Sequence, residues 1–360
     1  MEKLVNPGFW NGRRVFLTGH TGFKGGWLSA TLKGWGAELH GYALAPVEGG
    51  IYQRAGGDDL MASSTIADIR DLETLSEALQ RSQAEVVIHM AAQPLVRLSY
   101  ATPVETYAVN VMGTVNLLEA ARGLQAARAL VVVTSDKCYE NREWPWGYRE
   151  NEAMGGYDPY SNSKGCAELV TAAYRQSFFK AGGPAVGSGR AGNVIGGGDL
   201  ALDRLVPDLV RAFTARETTA IRYPNATRPW QHVLEPLSGY LQLAQALHGD
   251  NGAAFAEGWN FGPASSGERT VGEVADAGVR AWGPGAAWEH VGGEYLHEAG
   301  YLKLDSSKAR AQLGWAPRWD FENTIAQTID WYRAATDPKA DMAAFTRTQI
   351  DSYFNSQFLA

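Results

Sequence analysis

An α/β fold, a doubly wound parallel sheet followed by a smaller C-terminal lobe, is what this 360-residue sequence predicts. Three observations lead there. From residue 13 short apolar runs alternate with amphipathic stretches, the pattern of parallel strands joined by crossover helices. The first run turns directly into a glycine-rich loop that opens a helix. After Asn193 the texture changes to loops rich in glycine, proline and arginine, with shorter helical stretches.

Taken in order, strands are expected at 14–18, 38–44, 85–90, 130–134 and 185–188, with helices starting near Gly25, Asp71, Ser99 and Asp158. Two more helices are expected at 202–215 and 235–248. The strand-like run Gly258-Trp259-Asn260-Phe261-Gly262 leaves room for the chain to cross back into the main sheet. The expected division is therefore 1–190 for a nucleotide-binding domain and 191–360 for a second lobe with some segments returning. In such a sheet a ligand sits at the carboxyl ends of the strands, so the residues just after each strand are candidates for chemistry.

Composition narrows the function. With 45% hydrophobic and 20% charged residues the chain is neither disordered nor fibrous. A net charge of −7 argues against a nucleic-acid partner. No signal-like segment occurs, and no run nears the roughly 20 apolar residues of a membrane span, so the expected location is the cytoplasm with no membrane partner. Cys138 and Cys166 are too few for a disulfide framework, and no H-E-x-x-H or C-x-x-C pattern suggests a metal.

Two segments carry chemistry on their spacing. The loop Gly19-His20-Thr21-Gly22-Phe23-Lys24-Gly25 follows the first strand, where glycines let backbone N–H groups approach a pyrophosphate at a helix N-terminus. A glycine-rich turn that only reverses the chain would share this spacing. Tyr160-Ser161-Asn162-Ser163-Lys164 sets a phenol and an ammonium one helical turn apart. There the cation is expected to lower the tyrosine pKa, so that the phenolate can accept a proton. A surface pair is the plain alternative.

Together these segments resemble the extended short-chain dehydrogenases/reductases, which share the Rossmann architecture, and within them the NAD-dependent nucleotide-sugar 4,6-dehydratases. The resemblance covers nearly the whole chain. It implies NAD contacts at Gly19, His20, Thr21, Gly22, Phe23, Lys24 and Gly25, adenine contacts at Asp68 and Ile69, and further contacts at Ala91, Ala92, Gln93, Thr134, Tyr160 and Lys164. Asn110 looks like the structural helix asparagine of these proteins and is counted with the cofactor contacts. In relatives acting on dTDP-glucose a Thr-Asp-Glu set follows the strand that matches 130–134, and its two carboxyl groups eliminate water across C5 and C6. Here Ser135, Asp136 and Lys137 stand in those places, which is similar to the CDP-glucose branch. The resemblance further implies that Arg228 and Gln231 of Arg228-Pro229-Trp230-Gln231-His232, with Arg190 and Asn193, hold the nucleotide-sugar diphosphate. Leu302-Lys303-Leu304-Asp305 and Leu313-Gly314-Trp315 also resemble these relatives, with only a structural role implied.

The implied activity is conversion of CDP-glucose to CDP-4-keto-6-deoxyglucose, with a hydride lent to NAD and returned, in deoxysugar synthesis for surface polysaccharide such as lipopolysaccharide O-antigen. A homo-oligomer, dimer or tetramer, built on helices 99–124 and 158–179 is implied as well. An epimerase or net oxidoreductase would share the glycine loop and Tyr160/Lys164, and a non-catalytic NAD-binding regulator would share the fold; Asp136 and Lys137 speak against the first, and the intact set of hydroxyl, Tyr160 and Lys164 against the second. One departure stands out. The second strand ends Tyr42-Ala43-Leu44-Ala45-Pro46, without the acidic residue that would bond the ribose 2′-hydroxyl of NAD and without an arginine for NADP, so this strand leaves NAD and NADP both open.

Overall fold

Strands buried on both faces run as near-continuous apolar stretches, and Val-Val-Ile-His at 86–89 and Ala-Leu-Val-Val-Val at 129–133 are of that kind. They lie in the middle of a parallel sheet in the computed structural model, which describes residues 5–264, 267–292 and 301–359. In chain order the strands are β1 (Arg14–Thr18), β2 (Glu38–Ala43), β3 (Ser63–Ile66), β4 (Val86–His89), β5 (Ala129–Val133), β6 (Ala185–Ala191), β7 (Asn193–Ile195), β8 (Thr218–Ile221), β9 (Thr227–His232), β10 (Gly258–Phe261), β11 (Glu268–Thr270) and β12 (Ala287–His290). Among the described residues the main sheet has seven strands in the order β10-β6-β5-β4-β1-β2-β3, all paired in parallel. The chain winds outward from β1 through β2 and β3, then resumes at β4 and winds the other way. That reversal between β1 and β4 is a switch point, where the carboxyl ends of adjacent strands leave a crevice.

The crossovers are helices α1 (Phe23–Gly34), α2 (Leu72–Ser82), α3 (Gly113–Arg122) and α4 (Pro159–Tyr174). Asp71 caps α2 by accepting from the Thr74 amide, and Asp158 caps α4 through the Ser161 amide with Pro159 in the first turn. A single helix from Ser99 does not form. Pro103 restarts the chain between short helices at Val96–Ala101 and Pro103–Tyr107, and a π-helical turn at Ala108–Met112 precedes α3. Further along come α5 (Leu205–Ala215), α6 (Leu234–His248), α7 (Val271–Trp282), α8 (Phe321–Ala334) and α9 (Met342–Asn355).

Both faces of the sheet are covered. On one, Trp27, Leu237, Tyr240, Trp259, Trp315 and Trp331 form the larger apolar core; on the other, Leu75, Leu79, Leu117, Leu118, Leu130 and Val132 form the smaller. The run at 258–262 does return to the main sheet, as β10 beside β6. β7, β9 and β11 make a second small sheet, and β8 pairs with β12. These small sheets stand over the carboxyl edge of the main one and place Asn193 and Arg228 in the wall of the same cavity as the ends of β1, β4 and β5.

Candidate active site

The crevice is a cavity of about 860 Å³. Its floor begins with the loop after β1. Gly19 sits at φ +75°, a left-handed conformation, and a Cβ there would come within 2.8 Å of the Ala91 amide. At Gly25 a Cβ would come within 2.0 Å of the Gly19 carbonyl, so the turn closes only with glycine. Gly22 caps α1 without a side-chain hydrogen bond, and the first turn of α1 holds no acidic residue. The leading N–H groups of that helix are thus left without a side-chain cap, and with the helix dipole they suit a pyrophosphate.

Thr21, Phe23 and Lys24 line the cavity with these glycines, as do Asp68, Ile69, Ala91 and Ala92. Arg70 bonds both carboxylate oxygens of Asp68, at 2.9 and 2.6 Å, and holds that carboxyl below its ordinary pKa. It supplies the charged groups near the end of β2, which has none of its own.

At the end of β5, Thr134, Ser135, Asp136 and Lys137 meet Tyr160 and Lys164 of α4 around the cavity. Ser135 Oγ donates to Asp136 Oδ1 at 2.9 Å. Lys137 Nζ lies 3.8 Å from the same oxygen and donates to Asn193 Oδ1 at 3.4 Å. Asp136 is 1% exposed, and its Oδ2 has no hydrogen-bond partner among the described residues. The lowering of the tyrosine pKa expected from Lys164 is not what governs the phenol. Burial pushes Tyr160 up to about 12, opposed by a hydrogen bond with Ser135 and by the charge of Arg204. Burial likewise pushes Lys164 down to about 8, and Glu168 one turn further along α4 pulls it back.

Five residues expected at ligand do not line the cavity with their side chains. Arg190 points into the protein, where Nη2 donates to Glu168 Oε2 at 2.9 Å and Nη1 to Tyr139 Oη at 2.6 Å. Gln231 donates to the Phe261 carbonyl. His20 lies beneath the loop, 2.9 Å from Ser64 Oγ. Asn110, in the π-helical turn, accepts from the Gln93 amide and donates to the Gln93 carbonyl and Ser163 Oγ, tying the loop after β4 to α4. Gln93 turns its own side chain to Thr106.

The sequence reading missed Glu168, Arg204 and Tyr240. Glu168 takes hydrogen bonds from Thr134 Oγ1 at 2.5 Å and Ser188 Oγ at 2.7 Å besides Arg190, so it anchors the ends of β5 and β6 beneath the reacting groups. Its place four residues after Lys164 was the available signal. Arg204 and Tyr240 arrive from distant segments, and no local pattern marks them.

The chain has known relatives. The chain is 52% identical to CDP-glucose 4,6-dehydratase of Salmonella typhimurium, over 98% of this chain and 99% of that one. It is 29% identical to dTDP-glucose 4,6-dehydratase of Streptomyces antibioticus, over 77% of this chain and 78% of that one. In fold it resembles the crystal structure of DesIV, a dTDP-glucose 4,6-dehydratase from Streptomyces venezuelae with NAD and TYD bound. The TM-score is 0.75 at 24% identity, covering 89% of this chain and 97% of that one. A family model described as GDP-mannose 4,6 dehydratase matches residues 16–328. Glycine loop, Tyr160/Lys164 pair and full-length likeness converge, and the chain belongs to the GDP-mannose 4,6 dehydratase family.

Proposed function

We propose that this chain converts CDP-D-glucose to CDP-4-keto-6-deoxy-D-glucose and water. The observation that carries this reading is the 52% identity, over nearly the whole of both chains, to a CDP-glucose 4,6-dehydratase. The uncapped start of α1 and the glycine cradle fit the pyrophosphate of NAD. Bound NAD would supply the acceptor for the C4 hydride and the source of the hydride that C6 receives, and its oxidised form would bring a positive charge into the cavity.

The residues then divide the work. Tyr160 takes the C4 hydroxyl proton as the phenolate, a form that Lys164 as the neighbouring cation and the positive ring of bound NAD would favour. Ser135 sits between Tyr160 and Asp136, so its single hydrogen can serve either oxygen. Once the sugar carries a 4-keto group, C5 is acidic. Lys137 takes the C5 proton at Nζ, and Asp136 gives a proton to the departing C6 hydroxyl. The unpartnered Oδ2 favours this role, because a buried carboxylate oxygen without a donor is costly while a protonated one is itself a donor. Asn193 and Arg228 face the same cavity and hold the substrate diphosphate.

On this reading residues 1–190 chiefly bind NAD and 191–360 chiefly bind the nucleotide sugar. Among the described residues no helix is long and apolar enough to cross a membrane, and the cytoplasm is the location proposed. The product would enter deoxysugar synthesis for surface polysaccharide. A homo-oligomer, dimer or tetramer, is proposed through the faces around α3 and α4, where Met112, Leu169 and Phe178 are 51%, 59% and 44% exposed.

The test is incubation of the purified protein with CDP-, dTDP-, UDP- and GDP-glucose, followed by mass analysis. Loss of one water from CDP-glucose in preference to the others is expected. A product of unchanged mass would point to an epimerase, and no change with any of them would point to a binding protein.

A further inference from the structure

One cation in the cavity has no part in the steps above. Lys24 is the second residue of α1, inside the glycine loop, and it is partly exposed along the cavity wall. Its Nζ lies 3.4 Å from Oη of Tyr240 on α6 and 5.7 Å from the centre of that ring. Tyr240 packs against Gly189 of β6, whose added Cβ would meet the ring at 2.7 Å. The amine is therefore directed under the carboxyl ends of β5 and β6, toward the reaction centre. The charges that act on it belong to that centre as well: Lys164 on α4, Arg204 just before α5, and Asp136 after β5. Lys164 and Arg204 are cations, so a further positive charge entering the cavity meets repulsion from both.

We propose that Lys24 sets the redox balance of the bound nicotinamide, its ammonium disfavouring the positively charged oxidised ring relative to the neutral reduced one. This rests on the reading that the cavity binds NAD. In a partly desolvated site two like charges repel far more strongly than they do across water. Destabilising the oxidised form alone makes the bound cofactor a stronger acceptor for the C4 hydride, in a reaction where the first step is the oxidation of an alcohol.

Crowding by protein, and then repulsion from Lys164 and Arg204, push the Lys24 amine down from its ordinary value to about 7. Near neutral pH this amine changes charge. By linkage, an oxidised ring favours the neutral amine and a reduced ring favours the ammonium. Transfer of a hydride to the ring removes one positive charge, and uptake of one proton from solvent by Lys24 restores it; return of the hydride releases that proton. Lys164 contributes a second step nearer pH 8. Tyr160 on α4 and Tyr240 on α6, both pushed well above neutral by burial, stay protonated across this range in the free protein.

The test is a competition of NAD against the fluorescence of bound NADH, giving the ratio of the two dissociation constants at pH 6 and pH 8.5. In the unaltered protein the ratio is expected to favour NADH more strongly at pH 6. In Lys24→Met it should fall about tenfold at pH 6, equivalent to about 30 mV in the two-electron potential of the bound pair. Lys24→Arg, which stays charged at both pH values, should keep a high ratio and lose the step near pH 7. Equal ratios and equal pH dependence in all three proteins would overturn the proposal. Failure of the unaltered protein to bind either nucleotide would instead overturn the NAD-dependent reading on which it rests.

Discussion

Tyr160 and Lys137 act at different stages in this account, so their variants should fail differently. Tyr160→Phe should block reduction of bound NAD on adding CDP-glucose, with turnover down about 10³-fold. Lys137→Ala should still show the rise in NADH absorbance, because Tyr160 and Lys164 are untouched, yet should not exchange the C5 proton with deuterated solvent. Normal exchange in Lys137→Ala would place the base elsewhere. Lys164 makes a pH-dependent claim. Its amine is charged below about 8 and neutral above, so turnover should decline as pH rises through that value. Glu168→Gln removes the nearby anion that favours the charged form, and the decline should move to lower pH in a rate profile. That variant also leaves Arg190 buried without its carboxylate, so a stability loss of about 3–5 kcal/mol is expected. The gathering of Asp136, Lys137, Tyr160 and Lys164 round one cavity was legible because each stands at a strand end or one helical turn from a partner. Arg190 misled: it lies on a strand buried on both faces, and whether such a residue meets ligand or a buried carboxylate depends on α4, which is distant in sequence.

The elements behind the site are fastened by long-range polar contacts. Glu235 of α6 accepts from the amides of Arg318 and Trp319 and from Tyr353 Oη of α9, while Ser238 bonds both Tyr353 and Trp315. Burial raises Glu235 to about 7, above its unfolded value, so its protonated form is the one favoured by folding. That contribution is whole below about pH 4.5 and is lost as pH rises through 7. Thermal unfolding from pH 5 to 8 should therefore show the unaltered protein losing ground to Glu235→Gln, and parallel melting temperatures would contradict this. Trp331 of α8 is a second fastening: it packs on Gly197, where a Cβ would come within 2.0 Å of the indole, and donates to Thr346 of α9. Trp331→Ala should cost about 3–5 kcal/mol in denaturant unfolding. Elements with strong apolar runs were readable in the sequence, β1, β4 and β5 above all. β3 was not, since Ser-Ser-Thr-Ile at the sheet edge is largely exposed and carries no apolar run.

At the scale of the whole molecule, one cavity joins the strand ends of the main sheet to Asn193 and Arg228 of the small sheets, so NAD and sugar nucleotide would meet across the seam between them. The doubly wound order was legible from the alternation of strands and helices. The return of the chain at 258–262 was legible too, but the small sheets were not, because β11 and β12 pair with β9 and β8 from far along the chain. Light scattering at working concentration should return a dimer or tetramer, and a monomer alone would remove the proposed α3/α4 association. The central claim is a dehydration in which the hydride never leaves the protein. Its most direct measurement is incubation with CDP-glucose deuterated at C4 in ordinary water, followed by mass and NMR analysis of the product. The account predicts loss of one water with the deuterium recovered at C6 and no net NADH. Deuterium lost to solvent, retained at C4, or accumulated in free NADH would contradict it.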